Sequence, residues 1–127
     1  MSTTLTRDIR VIAEPRFLPE QSDPPSSQFV FAYRITVRNE SEVPVQLLSR
    51  HWVITNAEGA VAEVRGPGVV GCQPKIAPGR EFQYTSGRPL DTPIGTMHGS
   101  FQMMTADGEA FDAQVAPFRL MVPNVLN

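Results

Sequence analysis

Three glycines, Gly66, Gly68 and Gly71, have the spacing G-x-G-x-x-G, which is typical of loops that bind phosphate. In dinucleotide-binding proteins such glycines allow a tight turn between a strand and a helix, and the pyrophosphate binds at the helix N-terminus. The pattern has this meaning only where a strand precedes it and a helix follows it. Binding of a phosphate or nucleotide by this glycine run is therefore one hypothesis for the chain.

The residues around the glycine run argue against a nucleotide fold. Residues 60–64 are predicted to form the preceding strand, but Pro74 and Pro78 lie within the first turns of any helix that starts at Gly71. An interior proline removes a backbone donor and costs about 3 kcal/mol. Pro67 removes another N–H group that a phosphate could use. The run is therefore predicted to be a bulged, glycine-rich connection between two strands, and ligand binding there remains an alternative.

Metal binding and catalysis have few candidate residues. The chain has two histidines, His51 and His98, and one cysteine, Cys72. Imidazole and thiolate suit cobalt, but no ligand spacing supports a site, so direct cobalt or magnesium binding is only a second alternative. Ser49 and His51 would share one face of a strand with their Cβ atoms about 7 Å apart, too far for a direct bond without favourable rotamers. We therefore expect no enzyme activity, no catalytic residues and no cofactor.

Composition excludes several classes of protein. With 127 residues the chain is long enough for one domain and too short for two. A net charge of −2 provides no basic surface for nucleic acid. The longest apolar runs have about five residues, whereas a membrane helix needs about 20. The start of the chain lacks the apolar stretch of a signal peptide, and a single cysteine forms no internal disulfide. These features predict a soluble, cytoplasmic protein without membrane insertion.

Apolar and polar residues alternate along much of the chain, as in strands with one buried face. Within residues 29–37 every second residue is apolar, whereas Arg34, Thr36 and Arg38 are predicted to face water. Further strands are expected at 9–13, 45–55, 60–64, around Phe82 and Tyr84, at 97–103 and at 111–122. Asp107-Gly108 predicts a hairpin turn, because both residues tolerate positive φ.

The predicted architecture is all-β. Seven or eight short strands separated by turns favour an antiparallel β-sandwich of the immunoglobulin or fibronectin type III kind, with a small β-barrel as the alternative. The proline-rich residues 14–27 are predicted to link the first two strands as a mobile segment, with a functional loop as the alternative, and residues 87–93 are predicted to be a loop. One domain is expected over residues 1–127, with a core at about 5–126.

Several blocks of the sequence resemble the bacterial ApaG family. The run Val64–Pro74, which reads VRGPGVVGCQP, is similar to the signature of that family. Further similar blocks are residues 31–33, 45–52, 54–56, 76–79, 82–87 and 92–97. The resemblance extends over nearly the whole chain, about residues 5 to 126. It implies a fibronectin type III-like sandwich, in agreement with the strand pattern.

The resemblance also implies a function. ApaG proteins are linked to cobalt resistance and magnesium efflux without an established molecular activity, and related eukaryotic modules are regarded as protein-interaction units. A chain without a membrane segment would influence ion efflux only indirectly, through a partner. The leading hypothesis is therefore a non-enzymatic protein-interaction module with an unknown protein partner. Exposed edge strands would also permit a homodimer.

Overall fold

The structure of the chain, a computed structural model, describes residues 1–123. Nine strands lie in this range: β1 (Ser2–Thr6), β2 (Ile9–Phe17), β3 (Phe29–Asn39), β4 (Val45–Asn56), β5 (Val61–Pro67), β6 (Lys75–Ile76), β7 (Glu81–Leu90), β8 (Ile94–Thr105) and β9 (Ala110–Met121). Two short 3-10 turns, Pro19–Gln21 and Pro24–Ser26, separate β2 from β3. No helix in the described range is long and apolar enough to cross a membrane.

The strands form two antiparallel sheets. The first has the order β1-β2-β3-β7, and the second has the order β5-β4-β8-β9, with β6 paired to the start of β4. The predicted all-β antiparallel sandwich is confirmed. The strand number exceeds the predicted seven or eight because of β1 and β6, which are short and have little apolar alternation. The predicted end of the core, residue 126, lies outside the described residues.

The core lies between the inner faces of the two sheets, and Trp52 is at its centre. The Trp52 ring packs against Tyr33, Phe101 and Phe118, with ring centroids 5.5, 5.8 and 6.1 Å away and close to edge-on. Such aromatic pairs contribute about 0.5–1.5 kcal/mol each beyond the burial of their surface. The alternation in β3 is also confirmed on its inner face, where Phe31, Tyr33, Ile35 and Val37 are buried.

Thr36 is predicted to face water, but only 2% of its surface is exposed. It lies on the outer face of β3, but β3 is a central strand with β2 on one side and β7 on the other. Gln83, its partner on β7, covers it and donates a hydrogen bond from Nε2 to its hydroxyl at 3.0 Å. Neighbouring side chains therefore bury a polar residue that alternation alone assigns to solvent.

Two predicted loops begin too early, because neither Pro15 nor Pro89 ends its strand. β2 continues through Pro15 to Phe17, and β7 continues through Pro89 to Leu90. Pro15 lies opposite Tyr33 of β3 but beyond the last residue of β2 that pairs with β1, so β2 is at the edge of the described sheet at this position. Pro89 lies in β7, which has β3 on one side only. Proline is tolerated at such edge positions.

The two sides of the sandwich differ. On one side β1 lies against β9, where Thr4 Oγ1 accepts a hydrogen bond from the N–H of Ala116 at 2.8 Å and Ser2 Oγ donates to the Ala116 carbonyl at 2.9 Å. The side-chain hydroxyl groups of β1 thus bridge to the backbone of β9 and close this side of the sandwich. On the other side, between β5 and β7, two cavities follow one another along the strands. The larger of these cavities contains the candidate site.

Candidate functional site

The larger cavity, here called the inter-sheet cleft, has a volume of about 390 Å³. It lies between β3 and β7 of one sheet and β4 and the end of β5 of the other. Its lining consists of Tyr33, Arg50, Tyr84, Ser86 and the loop residues Pro67, Val69, Val70 and Gly71. This volume falls in the range of cavities that bind small molecules.

Arg50 reaches the cleft because of a bulge in β4. The pairing of β4 with β8 shifts register between Leu47 and Ser49. Before the shift Leu47 is buried, and after it Trp52 is buried, so the inward-facing positions change from odd to even numbers. A bulge re-aims the side chains that follow it. Arg50, two residues before Trp52, therefore lies on the inner face of the sheet.

Arg88 comes to the same region from the opposite sheet. It lies four residues after the buried Tyr84 on β7, and alternate side chains of a strand share a face. Arg88 lines the second cavity, of about 280 Å³, beside the cleft. Burial raises the pKa of Tyr33, and the positive charges of Arg50 and Arg88 oppose this rise. Arg50 lines the cleft together with Tyr33, and Arg88 pairs with Phe31, two residues before Tyr33 on β3.

Neither arginine has a carboxylate partner among residues 1–123. Arg7, Arg10, Arg34 and Arg38 each form an ion pair with a glutamate. Arg50 instead donates from Nη1 to the carbonyl oxygens of Pro67 and Gly68, at 3.0 and 2.9 Å. The Nε atom of Arg88 is buried and has no acceptor in the described part of the protein. Within residues 1–123 neither guanidinium group is therefore neutralised by an ion pair, although Asp91 lines the second cavity together with Arg88.

The two tyrosines of the cleft are neutral hydrogen-bond donors. Burial raises the pKa of Tyr84 strongly, Tyr33 adds to this rise, and Arg50 opposes it. Burial also raises the pKa of Tyr33, against the opposing effects of Ser86, Arg50 and Arg88. The Tyr84 hydroxyl is buried and has no partner among the described residues. At neutral pH the cleft therefore combines two cations with phenolic O–H donors.

The predicted site glycines shape the wall of this cleft. Gly66 lies in β5 directly opposite Arg50, and a Cβ atom there would be 3.1–3.2 Å from the guanidinium atoms of Arg50. Gly68 has φ 60°, and a Cβ atom on it would overlap the carbonyl oxygen of Cys72. Gly71 has φ 83° and lines the cleft. The spacing of these glycines thus allows Arg50 and the loop to approach each other closely.

The loop itself is a tight turn and not the start of a helix. Val69 and Cys72 exchange backbone hydrogen bonds of 2.8 and 2.9 Å, and the residues between them, Val70 and Gly71, have φ values of 42° and 83°. Two consecutive positive φ values are typical of a type I′ turn. As the prolines predict, residues 68–74 connect β5 to β6 without a helix. Ligand binding by the three glycines stays a prediction.

Most backbone donors of the loop are engaged within the protein. The N–H of Gly68 donates to the carbonyl of Leu48 at 2.8 Å, and Gln73 donates to the same oxygen from Nε2 at 2.9 Å. Val69 and Cys72 use their N–H groups in the turn. A phosphate in the cleft would therefore meet arginine and tyrosine side chains rather than a cradle of amides.

The candidate metal and catalytic residues are not brought together. His51 Nε2 lies 2.9 Å from the carboxylate of Glu63, and the Ser49 hydroxyl donates to Gln102 at 2.8 Å. Cys72 Sγ bonds to the carbonyl of Val69, and His98 pairs with Val53 in β4. Within residues 1–123, no three His, Cys, Asp or Glu side chains gather to hold a metal ion.

Sequence reasoning missed both arginines of the site. A signal was present for Arg88, since it continues the alternation of Phe82 and Tyr84 and so occupies an inward-facing position in a strand. The corresponding signal for Arg50 is hidden by the bulge, which changes the alternation just before it.

Comparison with known proteins places the chain in a family. The family model described as the ApaG domain matches residues 19–105. A protein named ApaG from Azotobacter vinelandii is 55% identical over 119 residues, covering 94% of both chains. One of the same name from Aromatoleum aromaticum is 54% identical over 127 residues, covering all of both chains.

A solved structure agrees with this result. The crystal structure described as an ApaA protein from Bordetella pertussis has a TM-score of 0.91 and 49% sequence identity, and the match covers 95% of this chain and 98% of that one. Sequence and fold similarity thus extend over nearly the full length. The chain belongs to the ApaG domain family.

Proposed function

We propose that the chain is a non-enzymatic protein-interaction module whose contact surface is the rim of the inter-sheet cleft. The observation that carries this proposal is the backbone of Val70, which has φ 42°. Left-handed backbone costs a residue with a Cβ atom about 1–2 kcal/mol, and β-branched residues adopt it rarely. Val70 is 61% exposed, so packing does not compensate this strain. Strained residues concentrate at functional surfaces.

A second apolar residue extends this surface. Val61 lies at the start of β5 and is 62% exposed. β5 is the edge strand of its sheet, so the side of its backbone away from β4 is open to a partner strand. Val61 also lines the second cavity, beside Arg88. The rim therefore offers apolar side chains, an open strand edge and positive charge together, which suits a protein partner.

We propose that the protein acts in the cell through the partner that it binds. We place the protein in the cytoplasm, and its effect on cobalt or magnesium homeostasis is indirect and exerted through that partner. The side chains most suited to catalysis support a non-enzymatic role, since Ser49 and His51 are each hydrogen-bonded to another residue and not to one another.

Affinity capture with matched variants tests the contact surface. Val70→Asp and Val61→Asp place a charge on the rim, whereas Leu5→Asp places one on β1 at the other side of the sandwich, where Leu5 is 49% exposed. A partner retained by the wild type and by Leu5→Asp, but lost with both rim variants, is expected. Failure of the wild type to retain any specific partner, or equal capture by all variants, would contradict the proposal.

A homodimer is a second candidate, favoured by the open edge of β5. Two copies could pair these edges and cover Val61 in both. The expected observation is a dimer mass in light scattering that becomes a monomer mass on Val61→Asp. A monomeric wild type at high protein concentration would exclude this assembly.

A further inference from the structure

We propose that the inter-sheet cleft is a binding site for a phosphate group, held between the guanidinium groups of Arg50 and Arg88 and hydrogen-bonded by the tyrosine hydroxyls. This inference goes beyond the proposed contact surface on the rim, and it depends on the donors inside the cleft and not on Val70 or Val61.

A missing counter-charge favours an anion at this site. On the outer face of the first sheet, a cavity of about 380 Å³ is lined by Glu14 and Arg34 among others. There Arg34 Nη2 donates to both carboxylate oxygens of Glu14, at 3.0 and 3.1 Å, and the charge is neutralised. Arg50 and Arg88 lack any such carboxylate in the described chain. A bound anion would supply the counter-charge that Glu14 gives to Arg34.

Unsatisfied hydrogen-bond donors also favour an anion at this site. Arg88 Nε and the Tyr84 hydroxyl are both buried without an acceptor among the described residues. Leaving a buried donor unpaired costs about 1–3 kcal/mol. Proteins tolerate such groups where a ligand later satisfies them, and each needs an explanation. An oxyanion in the cleft would accept a hydrogen bond from the Tyr84 hydroxyl, which lines it, and Arg88 would contribute from the adjoining second cavity.

The donor geometry favours a tetrahedral phosphate. Arg50 presents five N–H donors, and its Nη1 is turned to the carbonyls of Pro67 and Gly68, which leaves Nε and Nη2 for a ligand. Arginine N–H groups match phosphate oxygens well and give charge-assisted bonds. Because the donors belong to both sheets, they approach the cleft from opposite sides. A tetrahedral anion accepts from several directions, whereas a carboxylate accepts mainly in one plane.

The charges of the lining residues favour the inter-sheet cleft over the second cavity as the phosphate site. Asp91 lines the second cavity, where its Oδ1 accepts from Asn56 Nδ2 at 3.0 Å, and its carboxylate would repel an anion there. Among the described residues, the lining of the inter-sheet cleft contains no aspartate or glutamate. The phosphate therefore belongs in the cleft, with Arg88 reaching it from the boundary. The volume of about 390 Å³ leaves room for an organic group on the phosphate.

Isothermal titration calorimetry on the full chain tests this site with inorganic phosphate, phenyl phosphate and acetate at constant ionic strength. Saturable binding of phosphate and little heat with acetate are expected. Tighter binding of phenyl phosphate than of inorganic phosphate would show that the cleft accommodates an organic group on the phosphate. Arg50→Gln and Arg88→Gln should each weaken binding at least ten-fold, and Arg34→Gln, which removes the same charge from the outer face, should not.

Thermal unfolding of each variant establishes that the fold is retained. The absence of saturable binding of either phosphate by the wild type would overturn the inference, as would undiminished binding by Arg50→Gln and Arg88→Gln. Equal weakening by Arg34→Gln would show that only net charge matters and would also overturn it. Because none of these variants changes Val70 or Val61, failure of the phosphate site leaves the capture experiment on the rim as a separate test.

Discussion

The Nη1 atom of Arg50 donates a hydrogen bond to the carbonyl oxygen of Gly68 at 2.9 Å. The glycine run that has the spacing of a phosphate-binding loop therefore holds an arginine side chain in place. Gly66 lies beneath the same guanidinium group and leaves room for it. In the proposed phosphate site the link between this motif and the anion is thus indirect, because the backbone positions Arg50 and the side chain of Arg50 provides the charge.

Gly66→Val is expected to weaken phosphate binding at least five-fold, because its side chain would displace the guanidinium group of Arg50. Gly66 does not have a positive φ, and valine suits strands, so the free energy of unfolding should change by less than about 1 kcal/mol. Gly87→Val is the control, since a Cβ atom there meets only the Phe31 carbonyl at an ordinary 3.7 Å. Calorimetry and urea unfolding measure the two effects, and unchanged phosphate affinity of Gly66→Val would refute the positioning role.

Val70→Asn is expected to stabilise the fold by about 1 kcal/mol, because asparagine tolerates the left-handed conformation that strains a β-branched residue. Val61→Asn is the control, since Val61 is similarly exposed but lies in a strand. Its free energy of unfolding should stay the same or fall, because asparagine is disfavoured in strands. Urea unfolding of both variants decides the matter, and a loss of stability with Val70→Asn would show that the residue is not strained.

Gly99→Ala is expected to destabilise the protein by about 3 kcal/mol or more, in the range of the severe effects of point mutations. A Cβ atom on Gly99 would overlap the carbonyl oxygen of His51 and push β8 away from β4. Gly108→Ala provides the comparison, since Gly108 has φ 86° but open space around it, so only the backbone cost of about 1–2 kcal/mol applies. Equal stability of the two variants in urea unfolding would contradict this packing.

The free energy of unfolding should fall as the pH rises above about 10, the ordinary pKa of tyrosine. Burial raises the pKa of both Tyr33 and Tyr84, so the folded state keeps their protons while the unfolded state loses them. Their contribution is complete below the unfolded pKa and is lost as the pH rises beyond it. Tyr84→Phe should show a smaller fall between pH 8 and pH 11 in urea unfolding. An identical fall in the variant would contradict the assignment.

Much of the fold follows from the sequence, because strand signals are local. The alternation in β3 and the Asp107-Gly108 hairpin turn both predict elements that the structure contains. The site is harder to predict because it depends on which strands face each other across the sandwich. Arg50 and Arg88 are far apart in the sequence and belong to different sheets. The bulge after Leu47, which turns Arg50 inward, leaves no clear mark in the sequence.

The most direct test of the phosphate site is the NMR signal of the arginine Nε–Hε groups during titration with inorganic phosphate. The Nε of Arg88 is buried without an acceptor, so a phosphate that binds there should shift its resonance and slow its exchange with water. The signal of Arg50 should respond along the same titration curve. Arg34, already bonded through Nε to Glu14, should change little. Saturation with no response at Arg50 and Arg88, or with the largest response at Arg34, would contradict a phosphate site in the inter-sheet cleft.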